Sequence, residues 1–209
     1  MVVLVTNRSV TRTISSVGIT SIEPGFLLAA PSLDDANFEG SVVLLGAHDG
    51  EGSLGWTLNG DEVDQASSIV RATGLVTAGA SLPESFSHAA LTGGPVSPET
   101  VWILYRLLTG AEPLPGSITI GDEIGVTATA DALKKLIAGE GPEQFRLVVG
   151  YAGWSPGQLE NEMATGSWLP ASADAELLFG DPKTLWKRAY AKAIGTVPTA
   201  FVTNVRGSA

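Results

Sequence analysis

Two histidines, His48 and His88, are the only imidazoles in the sequence, and imidazole is the side chain whose ordinary pKa lies nearest neutral pH. His48 closes an apolar run, 41-SVVLLGAH-48, and the turn before that run, 31-PSLDDANFEG-40, supplies Ser32 and Asp34. Ser32, His48 and Asp34 are therefore the residue types of a nucleophile, a general base and an orienting carboxylate, all at the ends of neighbouring expected strands. In such a hydrolase, Asn59 would line the pocket and the backbone amides of Gly93 and Gly94 would hold the developing anion. A purely structural account covers the same residues. Ser32 with Asp35 three positions on approximates a capping box that would start one helical turn through Ala36 to Phe38. A hydrogen-bonded histidine at a strand end also needs no chemistry to explain it.

The stretch 150-GYAGWSPGQLENEM-163 offers a second cluster. Ser155 reads as a helix N-cap, Pro156 as the first helical residue and Gln158 as the reciprocal partner of a capping box. Trp154 and Leu159 stand at the positions of a hydrophobic staple. Glu160 and Glu162 are two apart, so they point to different sides of a helix and do not form a carboxylate pair. Tyr151 and Gln158 remain as candidate ligand-binding residues at the strand end, together with Asn59, Gly93 and Gly94.

Other chemistries are poorly supplied. The chain has no cysteine, which excludes disulfides, thiol nucleophiles and cysteine-ligated metals. Two histidines do not make a histidine-rich zinc site, and no metal or cofactor is expected. A G-x-G-x-x-G spacing occurs at Gly50, Gly52 and Gly55, but the next residues, WTLNG, are β-prone and start no helix. A glycine-rich hairpin turn explains it better than a dinucleotide fingerprint. No G-x-S-x-G, H-E-x-x-H or Walker pattern is present.

Apolar periodicity sets the secondary structure that carries these residues. FLLAA, SVVLLGAH and SLGWTLNG read as buried strands, the last two as a hairpin. DEVDQASSIVRATG has helical spacing, with Gly74 as its stop. HAALTGG, TVWILYRLL and QFRLVVG are further strands, SITIGDEIGVTA reads as two short ones, and ELLF as another. DALKKLIAG is a short helix, and a helix is expected from Pro156 to about Thr165, ended by Gly166. The strongest helix is DPKTLWKRAYAKAIG, capped by Asp181, with Leu185, Ala189 and Ala193 as its inward stripe. Strands and helices mix without strict alternation, which predicts an α/β (mixed α+β) layered single domain, a mixed sheet with flanking helices. Residues 25–209 form that domain, and residues 1–24 read as an N-terminal extension or added strands.

The 209 residues carry 22 acids against 12 bases, a formal charge of −10. That acidic balance opposes binding to a phosphate backbone, and the late cluster Lys183, Lys187, Arg188 and Lys192 reads as a solvated helix face. No apolar run approaches the roughly 18 residues needed to span a bilayer. The opening MVVLVTNRSV places apolar residues before the first arginine, the reverse of a secretory signal, so a cytoplasmic protein is expected.

Four segments in order resemble the YqgE/AlgH family of bacterial proteins: 25-GFLLAAPSLDDANFEGSVVLLGAHDGEGSLGWTLNG-60, 93-GGPV-96, 149-VGYAGWSPGQLENEM-163, and Trp168-Leu169 with Phe179 and Trp186. The resemblance implies a cytosolic protein of mixed α/β fold without a settled activity, in a family often labelled as transcriptional regulators. Two departures stand out. Asn59-Gly60-Asp61 replaces the family's usual asparagine, base and proline, and Thr100 and Tyr105 stand where an arginine and a histidine are usual. Three functions then compete. The first is a regulatory or accessory protein that binds a protein partner or a small-molecule ligand. The second is a hydrolase built on His48, Asp34 and Ser32. The third, direct DNA binding, is opposed by the charge.

Overall fold

The computed structural model describes residues 22–77 and 79–195. The expected extension therefore lies almost wholly outside the described residues. Strand β1 (Gly25–Ala29) is flanked by β10 (Trp168–Ala171) and β2 (Val42–Asp49), and β2 turns back as β3 (Gly52–Thr57). The order continues through β9 (Phe145–Trp154), β6 (Val96–Arg106), β8 (Ile124–Thr127) and β7 (Ile118–Ile120). Off this path, β5 (Ala89–Thr92) lies against β9, and β4 (Glu62–Gln65) against β5. The β5–β9 pair is parallel and the others are antiparallel. The mixed sheet with flanking helices is thus the architecture found.

Continuous apolar runs mark strands covered on both faces. In β1 and β2, Phe26, Leu28, Val42 and Leu44 enter one core cluster with Trp56. Their neighbours Leu27, Ala29, Val43 and Leu45 enter another with Trp154, Leu159 and Trp168. A third cluster joins Ile103, Tyr105, Leu147 and Val149 to α1 (Ala66–Ala72) and α2 (Ala130–Ile137).

Strand β9 is the member on which the others are hung. One edge pairs with β6 along its length. The other edge is shared: Val148 and Val149 pair with Leu91 and Thr92 of β5, then Ala152 to Trp154 pair with Gly55 to Ser53 of β3. Gly93 sits at the join. Its amide donates to Val149 O at 2.7 Å, and its carbonyl accepts from the Thr57 amide at 2.8 Å.

Several expectations need correction. Residues 62–65 form β4 rather than the first turn of a helix, because their backbone pairs with β5. ELLF lies in helix α4 (Ala175–Leu178) and its C-cap rather than a strand, since the Asp174 carboxylate accepts from the Leu177 amide and caps it. The chain does not turn out of its strand at Gly150. That glycine has φ of 72° and the strand continues to Trp154. Helix α3 (Gln158–Ala164) begins only after a left-handed Gly157. Ser32 and Asp35 form no capping box. Instead Asp35 Oδ1 accepts from the Asn37 amide and its carbonyl from those of Phe38 and Glu39.

Helix α5 (Pro182–Ile194) has Asp181 as N-cap, and its buried stripe is Leu185, Trp186, Ala189 and Tyr190, whereas Ala193 is exposed. What seats it is a gap in the β-ladder. Ala29 N–H donates to Ser41 O, but the reciprocal bond is missing because the Ser41 amide donates to Phe38 O. Ala29 O instead accepts from Trp186 Nε1 at 2.9 Å and Tyr190 Oη at 3.0 Å. Either donor alone keeps that buried carbonyl satisfied. Tyr190→Phe should cost about 1 kcal/mol in urea unfolding, and Trp186→Phe more, because it also leaves a cavity in the core. The double variant should lose about 1–3 kcal/mol beyond their sum, because an orphaned carbonyl remains.

Candidate functional site

Where β3 and β5 diverge from their common partner, the sheet forks and leaves a cleft of about 250 Å³. One wall is the end of β3 and the residues just beyond it: Thr57, Asn59, Gly60 and Asp61. The opposite wall is Thr92, Gly94 and Pro95, and the loop carrying Ala36, Asn37 and Glu39 closes it beside Ser41. The walls stand close because glycines permit it. A Cβ on Gly60 would strike Thr92 O, and one on Gly94 would strike the Tyr151 backbone.

The floor of the cleft is unusual in its chemistry. Ser41 and Thr57 occupy the face of β2 and β3 that elsewhere carries Val43 and Leu45. Both are buried, at 5% and 4% exposure, and Ser41 Oγ has no hydrogen-bond partner among the described residues. A buried hydroxyl without a partner costs free energy. Asn59 braces the roof: its Oδ1 accepts from the Val42 amide at 2.8 Å and its Nδ2 donates to Gly40 O at 2.9 Å.

The sequence-derived site residues separate into several places. Asn59 and Gly94 line the cleft. Gly93 adjoins it, but its amide is committed to Val149 O and cannot hold an anion. Tyr151 lines a different hollow on the opposite face, with Ala47, Leu54 and Val96, and its ring meets Trp102 edge-on. Gln158 is half of the expected capping box, its Oε1 accepting from the Ser155 amide at 3.1 Å. Ser32 and Asp34 are exposed, and neither is a hydrogen-bond or ion-pair partner of His48 among the described residues.

His48 has other partners. Between Leu45 and Ala47 the β2–β3 register shifts, and this bulge turns His48, rather than Ala47, onto the face covered by α3. There His48 Nδ1 lies 2.8 Å from Ser53 Oγ, and Nε2 lies 3.8 Å from Glu160 Oε1. A serine, a histidine and a glutamate therefore do adjoin, but they are Ser53, His48 and Glu160. The bulge hid this from the sequence, because simple alternation places His48 on the other face.

Glu160 and Glu162 point apart, as their spacing requires. Glu162 Oε2 accepts from Trp154 Nε1 at 2.9 Å and Trp168 Nε1 at 2.7 Å, and its Oε1 from Gln158 Nε2 at 2.9 Å. A single carboxylate thus satisfies two buried indoles and ties α3 to β9 and β10. Glu162→Ala should destabilise the fold by about 2–4 kcal/mol, two indole N–H groups being stranded, and the loss is measurable as a shift in the urea midpoint.

The second histidine is half-buried. His88 Nδ1 donates to Ser85 O at 2.8 Å, its ring packs edge-on against Phe145, and its Nε2 is buried without a partner. Burial holds its pKa below the ordinary imidazole value, outweighing the Ser85 hydrogen bond, and the Arg146 cation lowers it further. The folded pKa lies below the unfolded one, so this contribution to stability is full above about pH 6.5 and is lost as pH falls through the depressed value. The His88 ring resonance should accordingly titrate below the ordinary imidazole range in NMR.

The comparisons with known proteins bear on the whole architecture. An AlgH-like family model matches residues 26–197. The chain belongs to the AlgH-like family. A UPF0301 protein of Anaeromyxobacter sp. (strain Fw109-5) is 33% identical over 201 residues, covering 90% of this chain and 96% of that protein. One from Photobacterium profundum is 37% identical over 169 residues, covering 80% and 89%. The solution structure of the AlgH protein from Pseudomonas aeruginosa superposes with a TM-score of 0.67 at 28% identity, covering 94% of this chain and all of that one. The crystal structure of a Corynebacterium diphtheriae protein gives 0.68 at 22% identity, covering 88% and 94%, and shows the same fold. Among the described residues no helix is long and apolar enough to cross a membrane.

Proposed function

We propose that this AlgH-like chain is a regulatory or accessory protein that acts by binding a small polar ligand in the forked-sheet cleft. The observation that carries this reading is the Ser41 hydroxyl, buried and unpartnered beside Thr57 at the cleft floor. A hydroxyl in that position is costly when empty-handed and becomes an asset when a ligand satisfies it. Asn59 and Asp35 hold the loop that closes the cleft, so the site is largely pre-formed. Cytoplasmic residence and action through a protein partner downstream of the ligand fit the same reading.

A second reading, hydrolysis, is favoured by one specific observation: the Ser53–His48 hydrogen bond with Glu160 behind the ring. Ser53 then replaces Ser32 as nucleophile, and Glu160 replaces Asp34 as the carboxylate. Direct DNA binding stays last, because Glu39 and Asp61 make the cleft rim acidic.

Protein-observed NMR with pools of small polar metabolites separates these readings. Binding should shift the amides of Ser41, Thr57, Asn59, Thr92 and Gly94, and Ser41→Val should weaken it by about tenfold, the loss of one buried hydrogen bond. Labelling of Ser53 by a serine-directed fluorophosphonate, abolished by His48→Gln, would instead establish the hydrolase.

A further inference from the structure

Resting on the reading of the fork as a ligand site, we infer that its ligand carries a primary ammonium group. The groups lining the cleft are acceptors of one character. Asp61 and Glu39 bring two carboxylates, Ser41, Thr57 and Thr92 bring hydroxyls, and Asn59 keeps one amide oxygen lone pair free after bonding the Val42 amide. No lysine, arginine or histidine lines the cleft, and neither carboxylate has an ion-pair partner among the described residues.

Each competing ligand class fails on one of these features. An anion would meet two carboxylates and no cation. A sugar ring would find hydrogen-bonding groups but no aromatic face to lie on, since no tryptophan, tyrosine or phenylalanine lines the walls. A bare metal ion needs several oxygen ligands at about 2.0–2.6 Å, and among the described residues no three carboxylates or imidazoles are placed to hold one. An ammonium group needs only three acceptors at hydrogen-bond distance. Ser41 Oγ, buried and unpartnered beside the cleft that Ser41 lines, is one such acceptor once its side chain turns toward the ligand. The rim carboxylates supply charge, and their exposure makes the attraction sensitive to salt.

The same ammonium chemistry is found on a free diamine and on a lysine side chain, so the test carries both. Binding of 1,4-diaminobutane, of a short acetylated lysine peptide amide, of the neutral isostere 1,4-butanediol and of inorganic phosphate is followed by calorimetry and amide shifts. The expected result is binding of the diamine or the lysine peptide at the Ser41 and Thr57 amides, weakened by added salt, with no response to the diol or phosphate. Asp61→Asn should weaken that binding about tenfold or more, as the loss of one charge-assisted bond implies. Whichever amine binds more tightly identifies the source. Equal binding of the diol, or preferred binding of phosphate, would overturn the ammonium assignment while leaving the fork as a ligand site. If ammonium compounds and metabolite pools alike leave the cleft amides unshifted, both the inference and the binding reading fall. Asp61→Asn removes only an exposed carboxylate, and Ser41→Ala gives a second variant should it misfold.

Discussion

One glycine joins two parts of this sheet. Gly93 donates to Val149 and accepts from Thr57, so β5, which pairs with the first half of β9, is tied to β3, which pairs with the second half. No side chain fits there: a Cβ on Gly93 would lie 2.5 Å from Gly150 O. Gly150 answers with a left-handed φ of 72°, which re-aims β9 from one partner to the other. The fork between β3 and β5 is the geometric result of that splice, and the cleft is the space the fork leaves. Thus Gly93, which as a sequence feature looks like an anion-binding amide, contributes to the site by shaping it.

The same economy recurs in the polar groups. Ser41 gives its amide to Phe38 and its carbonyl to Ala29, so Ala29 O is left to receive Trp186 and Tyr190 from α5. The break in the ladder at Ser41, beside the cleft, is therefore what anchors the last helix. Trp154 and Trp168 converge on Glu162, and Phe38 packs on both rings, at 6.0 and 5.6 Å between centroids. Phe38 belongs to the loop that closes the cleft, so the tryptophan cluster under α3 also steadies the binding loop. A glutamate on α3 and a polar pocket some distance along the sheet are parts of one mechanical unit.

Much of the fold was legible in the sequence because its signals are local. The unbroken apolar runs of β1 and β2, the Asp181-Pro182 start of α5 and the glycine-rich hairpin between β2 and β3 are each found. Errors arose where a long-range partner overrides local preference. EVDQ has helical spacing but is claimed by β5, and GYAGW looks like a loop but is held in the sheet by β3 and β6. The candidate site was half legible for the same reason. Asn59 and Gly94 stand at strand ends and are found at the cleft, whereas Ser41 and Thr57 are recognisable only once the register shows two hydroxyls on an apolar face. For His48, the candidate for proton chemistry, a one-residue bulge makes Ser53 and Glu160, not Ser32 and Asp34, its neighbours.

The splice is open to direct observation by native-state hydrogen exchange of two amides, Gly93 and Thr57. If Gly93 joins the two parts of the sheet, both should exchange only through global unfolding, with the same free energy as the central amides of β9. Exchange of either at the rate of an exposed loop, while β9 stays protected, would mean that β3 and β5 are not tied together and that the fork is no fixed site.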